Sequence, residues 1–149
     1  MDLRTAQMVI AEVGVDMGVF PSDRHLASWT GLCPGYNESA GKHRPGRTRK
    51  GNRWLRAALV EAALAAIRRK DSALAARYRR LVHHRGHKKA IVAVAHAILR
   101  AAYQILAHQR TYQDLGADYF DQHHRERVTR RAVHLLEHLG YQVTLEQAA

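Results

Sequence analysis

Apolar residues recur at helical spacing along most of the chain, and the stretches between these segments are short. The pattern predicts a first helix from Arg4 to Val13 that Gly14 ends. Ser22 is a suitable N-cap for a short second helix, Asp23 to Thr30. The sequence TGLCPGYNES follows, and its two glycines and one proline predict turns.

Two further helices are predicted in the middle of the chain. Asn52 caps the first, which runs to about Lys70, and its alanine content indicates close contact with another helix. Asp71 or Ser72 caps the second, which ends near Gly86. The apolar stripe of the first is formed by Leu55, Leu59, Ala62, Ala63 and Ala66.

The longest apolar segment, from Ala90 to His108, has the length of a membrane span. His96, Arg100, Gln104 and His108 recur every four residues within it. This spacing places one polar stripe along a helix whose remaining surface is apolar. We therefore expect the core helix of the fold rather than a membrane segment.

The last part of the chain predicts an irregular crossing and a final helix. TYQDLGADYF is expected to cross the molecule with some aromatic rings buried, and Arg125 to Leu139 forms the helix, with Val128, Ala132 and Leu135 on one face. No repeat or long linker interrupts residues 1–149. The predicted fold is all-α, one compact multi-helix domain with a basic, glycine-rich loop.

Charge then narrows the class of partner. The chain holds 24 Lys and Arg against 13 Asp and Glu, a formal net charge of +11. Such an excess indicates a polyanionic partner, either nucleic acid or an acidic membrane surface. A single cysteine, Cys33, excludes an internal disulfide and suits the reducing cytoplasm. The first residues do not have the pattern of a secretory signal.

The positive charge is densest in SAGKHRPGRTRKGNRWLR, residues 39–56, which contains seven Lys or Arg and no acid. Glycines recur there at five-residue intervals, and a glycine lets a phosphate backbone approach the main chain closely. Arginine binds phosphate oxygens with two parallel hydrogen bonds, and lysine adds a point charge. The expected nucleic-acid contacts are Lys42, Arg44, Arg47, Arg49, Lys50, Arg53 and Arg56.

Ser39 begins this loop and has two interpretations. It is a turn residue, or it is a nucleophile for phosphoryl transfer, which requires a proton acceptor and cations around the phosphate. Lys42, His43 and Arg44 are near enough in sequence to supply both. Spacing alone leaves the two interpretations open.

Two other groups of residues invite a chemical interpretation. His83, His84 and His87, among Arg and Lys neighbours, form a cationic phosphate-facing patch rather than a metal site, because adjacent imidazoles rarely converge on one ion. Cys33 has no partnered base in its block, so we expect a packed thiol without reactivity. No metal ligand and no cofactor site is assigned to this chain.

Four blocks of the sequence, in their order along the chain, resemble the C-terminal domain of bacterial insertion-sequence transposases of the IS-one-ten family. The blocks are IAEVG, VFPSDRHLASWTGL, CPGYNESAGKHRPGRTRKGNRWLRAALVEAA and RYRRLVHHRGHKKAIVAVAHAIL. The resemblance extends from about Leu3 to the final helix. It implies that Ser39 is the nucleophile that attacks DNA and forms a covalent phosphoserine. It also implies a structured noncoding RNA that guides recombination, and a homo-oligomer in the full-length protein.

Full-length members of that family also carry an N-terminal domain whose four acids bind a divalent metal, expected to be Mg²⁺. None of the 13 acids here has a comparable context, so we expect a truncated copy, an isolated domain or a separately expressed fragment. Two functions remain: serine-mediated DNA strand transfer, and a noncatalytic nucleic-acid-binding module. No membrane partner is expected.

Overall fold

The computed structural model describes residues 2–35, 38–43 and 47–146, with the backbone alone at residues 39, 43 and 120–124. That part of the chain is mainly helical, so the all-α prediction is confirmed. Besides its helices it contains a 3₁₀ turn, Met17–Val19, and two short strands, β1 (Glu38–Ser39) and β2 (Lys42–His43). The helices are α1 (Leu3–Val13), α2 (Asp23–Trp29), α3 (Arg53–Ala66), α4 (Ala73–Arg85), α5 (His87–His108) and α6 (Tyr119–His138).

Helix α5 lies at the centre and packs against α2, α3 and α4, while α1 packs against α3. By length and composition α5 is the one helix in the described ranges that could cross a membrane. It contributes more buried residues than any other helix described, which confirms the prediction of a core helix. Its buried residues are Ala90, Ile91, Val94, Ala95, Ile98, Leu99 and Ala102.

Local capping explains most of the helix boundaries. The Asn52 side chain accepts hydrogen bonds from the backbone N–H groups of Trp54 and Leu55, and the Ser72 hydroxyl accepts one from Ala75. Gly14 ends α1, and Gly86 separates α4 from α5; both have a positive φ that suits glycine. These caps lie where the sequence predicts them.

The predicted end of α3, near Lys70, is wrong by one turn. The helix ends at Ala66, and Arg68 N–H and Arg69 N–H donate to the carbonyls of Ala65 and Ala66, three residues back. Such bonds tighten the last turn, and Asp71 then adopts a left-handed conformation with φ 57°. Helix α4 begins at Ala73, directly after this turn.

Helix α6 lies at the periphery, in contact with α4. It begins at Tyr119, six residues before the predicted start, so the irregular crossing is shorter than expected. Val128 and Leu135 share one face as predicted, but both are exposed, and so is Leu139 at the end of the helix. The sequence predicts that some aromatic rings of the crossing are buried, whereas Tyr112 is 49% exposed. The described part of the chain leaves this apolar face uncovered.

The basic loop is a β-hairpin. Glu38 pairs with His43 and Ser39 with Lys42 in antiparallel register around a two-residue turn. Further down, Pro34 bridges Thr48, also antiparallel, and Gly35 N–H donates to the Arg47 carbonyl at 2.9 Å. These nested pairings bring residues 47–51 back alongside residues 31–35. We call the described residues 31–35, 38–43 and 47–51 the basic hairpin.

The two ends of the basic hairpin meet at a backbone contact without side chains. A Cβ on Gly51 would lie 2.4 Å from the Gly31 nitrogen, and one on Gly31 would lie 2.7 Å from the Arg49 carbonyl oxygen. No side chain fits at such distances. On the first arm, buried Thr30 and Leu32 fix the hairpin to the core, and Thr30 Oγ1 donates to the Leu26 carbonyl at 2.9 Å.

We predict that Leu99→Ala lowers the free energy of unfolding by about 2 to 5 kcal/mol, because it leaves a cavity at a fully buried position on α5. Leu135→Ala is the matched control, since Leu135 is 61% exposed on α6 and its loss should change stability by less than about 0.5 kcal/mol. Urea unfolding of both variants measures the difference. Equal losses would place α5 outside the core.

A second prediction concerns the base of the hairpin. Gly51→Ala inserts a methyl group where the Thr30 and Gly31 backbones already lie, so the two arms must separate. Trypsin should then cleave faster at the cations of the second arm, while the helix content measured by circular dichroism stays near wild type. Gly18→Ala is the control, because its new methyl meets a movable Asp16 carboxylate. Unchanged trypsin rates for Gly51→Ala would contradict the contact.

Candidate nucleic-acid interface

Ser39 lies at the tip of the basic hairpin, at the last position before the turn. The turn residues, Ala40 and Gly41, have φ of 49° and 72°. Two consecutive left-handed residues match the twist of the flanking strands, and the left-handed state costs about 1 to 2 kcal/mol for a residue other than glycine. The backbone register places Ser39 directly opposite Lys42. A constrained turn therefore presents the candidate serine beside a cation.

Of the seven predicted contacts, most lie on or beside the arms of the hairpin. Lys42 is exposed at the tip, and Arg47, Arg49 and Lys50 are exposed along the second arm. Arg44 lies outside the described residues. These exposed cations lie at the tip and near the base of the hairpin and form its cationic edge, and α3 begins two residues after Gly51.

The first turn of α3 adds an aromatic group to this edge. The Arg53 guanidinium lies 4.7 Å from the ring centroid of Trp54, and the indole is 61% exposed. Arg56, one turn further, is half-buried and donates to the Gly31 carbonyl at 3.3 Å. Arg53 therefore faces solvent with a stacked ring, whereas Arg56 ties α3 to the hairpin base.

Asn52 connects the start of α3 to α1. While its Oδ1 caps the helix, its Nδ2 donates to Glu12 Oε2 at 2.5 Å. The carboxylate of Glu12 therefore lies near the positive end of the α3 dipole, which favours a negative charge. The two contacts fix the direction in which α3 leaves the hairpin.

A second set of cations lies on the face of α5 that carries the predicted polar stripe. Arg100 Nε donates to Asp23 Oδ2 on α2 at 2.5 Å, and Asp23 is buried. Burial lowers the pKa of His96, and the nearby charges of Arg100 and Arg77 lower it further. Burial likewise lowers the pKa of Arg77, on α4, with added repulsion from Arg100 and Arg80. We call Arg77, His96 and Arg100 the helical cation cluster.

Cys33 connects the basic hairpin to the helical cation cluster. Burial raises the pKa of its thiol, while the charges of Arg100 and Arg49 act in the opposite direction. Arg49 belongs to the second hairpin arm and Arg100 to α5, so both cations lie around the same half-buried thiol. The raised pKa agrees with the expectation of an unreactive cysteine.

The remaining predicted groups stay apart from this region or have structural partners. His83 and His84 are exposed in the last turn of α4, and the Tyr78 hydroxyl lies 2.8 Å from His87 Nδ1. Among the described residues no three His, Cys, Asp or Glu side chains are grouped so that they could hold a metal ion.

Sequence reasoning missed Trp54 and the helical cation cluster. Trp54 lies between two residues of the basic loop, and it is off the Leu55 and Leu59 stripe, which is the signal that an aromatic ring would be exposed. The polar stripe on α5 was recognised, but its partners Asp23 and Arg77 are 77 and 19 or more residues away along the chain. No local pattern connects them.

Comparison of the sequence with known proteins identifies one family. Residues 1–79 match the model of the Transposase IS116/IS110/IS902 family, a match that includes α1, the basic hairpin, α3 and the first part of α4. No curated protein and no solved structure matches the sequence. The chain belongs to the Transposase IS116/IS110/IS902 family, its general function is DNA transposition, and its partner is DNA.

Proposed function

We propose that this chain performs the strand-transfer chemistry of transposition, with Ser39 as the nucleophile. The observation that supports the proposal is the position of Ser39 next to the turn of the hairpin, opposite Lys42, in a segment whose second arm exposes Arg47 and Arg49. A nucleophile for a DNA phosphate must project far enough to reach the duplex backbone. Cations beside it stabilise the charge that develops on the phosphoryl oxygens.

In the proposed step the Ser39 hydroxyl oxygen attacks a backbone phosphorus. The new bond from Oγ to phosphorus forms as the bond from phosphorus to one deoxyribose oxygen breaks. The hydroxyl proton passes to an acceptor, for which His43 is the candidate in this chain, and the departing oxygen takes up a proton. Lys42 and Arg47 hold the phosphoryl oxygens during the exchange.

The strain and fixation of the hairpin support a catalytic use of its tip. Ala40 has a left-handed conformation next to Ser39, and strained backbone persists only where the surrounding structure determines it. The Gly31 and Gly51 contact fixes the other end of both arms. We propose that a serine held in this way reaches the phosphate at a lower entropic cost.

We assign further partners on the strength of the family resemblance. The exposed cations Arg49, Lys50 and Arg53 suit the phosphate backbone of a structured guide RNA as well as that of DNA. The four metal-binding acids of the resembling transposases would come from another polypeptide segment, and a homo-oligomer would place two serines at one DNA junction. The exposed apolar face of α6 is a surface on which a second copy of the chain would pack.

The second candidate function is a nucleic-acid-binding module without chemistry. The observation that favours it is that the hairpin cations lie along an exposed edge, where they bind phosphates whether or not Ser39 reacts. Such a module binds DNA with little sequence preference and forms no covalent bond. The covalent adduct is therefore the measurement that separates the two functions.

We predict that Ser39→Ala abolishes a covalent protein–DNA adduct formed in the presence of guide RNA, target DNA and the acid-bearing segment of a family member. DNA affinity should stay within a few-fold of wild type, because one neutral hydroxyl adds little to binding dominated by phosphate contacts. Ser28→Ala, an exposed serine on α2, is the matched control and should form the adduct normally. Equal adduct with Ser39→Ala would remove Ser39 from the mechanism, and no adduct from wild type would favour the binding module.

A further prediction concerns the salt dependence of DNA binding. Replacing Arg47, Arg49 and Lys50 with glutamine should lower the slope of log affinity against log salt by about two to three units, since each phosphate contact contributes about 0.9. Arg68, Arg69 and Lys70 are the control triplet, exposed beyond the opposite end of α3. Their replacement should leave the slope near wild type. Equal slopes for both triple variants would exclude the hairpin as the phosphate-binding edge.

A further inference from the structure

Among the described residues, the helical cation cluster brings two arginines near the carboxylate of Asp23. Asp23 is buried and accepts a hydrogen bond from Arg100 Nε at 2.5 Å, so its carboxylate is already paired. Arg77, on α4, is the second arginine, and its charge and that of Arg100 both act on His96. His96, one turn before Arg100 on α5, adds an imidazole whose lowered pKa favours the neutral form.

Arg77 has an unsatisfied hydrogen-bond donor. Its Nε is buried, and in the described ranges it is the side-chain nitrogen or oxygen atom that is buried without a hydrogen-bond partner. Buried polar atoms in native proteins are almost always bonded, so an unbonded one requires a physical reason. A guanidinium that is partly withdrawn from water and repelled by Arg100 is costly for folding. A protein keeps a destabilising charge of this kind where the charge takes part in its function.

The chemistry of the cluster selects a phosphate as its occupant. A guanidinium offers N–H donors in a fork that matches two oxygens of one phosphate. A carboxylate would also pair with one arginine, but a phosphate presents more oxygens and accepts from several donors around it. Arg77 and Arg100 lie on the neighbouring helices α4 and α5, and the charges of both act on His96.

The position of the cluster identifies the source of the phosphate. Cys33, on the first arm, packs against the core cluster that contains the buried residues of α5, and the charges of Arg49 and Arg100 both act on its thiol, which agrees with a base of the hairpin close to α5. A nucleic-acid strand that follows the hairpin from its tip to its base then reaches α5 and α4. This step rests on the proposed function, because it assumes that the strand lies along the hairpin.

We propose that Arg77, Arg100 and His96 form a second phosphate-binding site, which holds the nucleic-acid backbone beyond the base of the hairpin. The hydrogen bond to Asp23 orients the Arg100 guanidinium in this site and keeps the side chain from turning away into solvent. The hairpin tip and the helical site together hold the strand at two places along its length. Two separated contacts fix the direction of the strand relative to Ser39, which one basic edge cannot do.

The test uses Arg77→Met in the full chain, with a fluorescein-labelled DNA duplex of mixed sequence as the probe. Affinity measured by fluorescence anisotropy should fall by about tenfold or more, the value of one charge-assisted hydrogen bond. The salt slope should fall by about one unit. The melting temperature should stay the same or rise, because the substitution removes a poorly solvated charge and keeps the length of the side chain.

Two further variants complete the experiment. Arg77→Lys should recover part of the affinity, because it restores the charge without the planar fork. Arg68→Met, which removes an exposed cation beyond the end of α3, should bind as wild type does. Unchanged affinity of Arg77→Met would overturn the site, and so would a loss of affinity that accompanies a lower melting temperature and persists in Arg77→Lys.

Failure of this site is distinguishable from failure of the proposed chemistry. Wild-type affinity in Arg77→Met together with loss of the adduct in Ser39→Ala would remove the helical site and leave the nucleophile. Weakened binding in Arg77→Met together with an intact adduct in Ser39→Ala would leave the helical site and remove the nucleophile. The two readouts, equilibrium affinity and covalent adduct, depend on different residues.

Discussion

The close approach of the Gly31 and Gly51 backbones is the constraint on which the candidate site depends. The hairpin has few side chains of its own to bury, and short two-stranded hairpins are marginally stable in water. Its base is fixed where the first arm leaves the core through Thr30 and Leu32 and the second arm enters α3 through Asn52. Any side chain at the contact would force the two arms apart at this point. The directions in which both arms leave the core are therefore set by this contact.

Most of the helical core could be predicted from the sequence, because apolar spacing and capping residues are local signals. The stripe through Leu55 and Leu59 and the caps at Asn52 and Ser72 fixed α3 and α4 to within a few residues. Helix α6 shows the limit of apolar spacing as a signal. The spacing correctly predicts an apolar face on this helix, but it does not predict whether another part of the protein covers that face. Burial is a tertiary property, and the described chain leaves Leu135 and Leu139 in solvent.

The candidate site was predictable in composition but not in shape. The density of Lys and Arg marks the basic segment, whereas the pairing of Pro34 with Thr48 and the left-handed pair at Ala40 and Gly41 arise from the fold. Glycines in this segment suggested close approach of a ligand, but Gly31 and Gly51 allow the close approach of the chain to itself. The role proposed for Ser39 rests on the family resemblance, since the backbone gives only its position and a lone serine has no distinguishing pattern.

Asn52 joins three parts of the molecule through one side chain. It caps α3 with its oxygen, bonds to Glu12 at the end of α1 with its nitrogen, and follows Gly51 at the hairpin base. A rotation of α1 that displaces Glu12 would therefore pull on the cap that orients Trp54 and both arms of the hairpin. The first helix and the base of the hairpin are thus linked through one side chain. A partner that displaces α1 would therefore also change the start of α3.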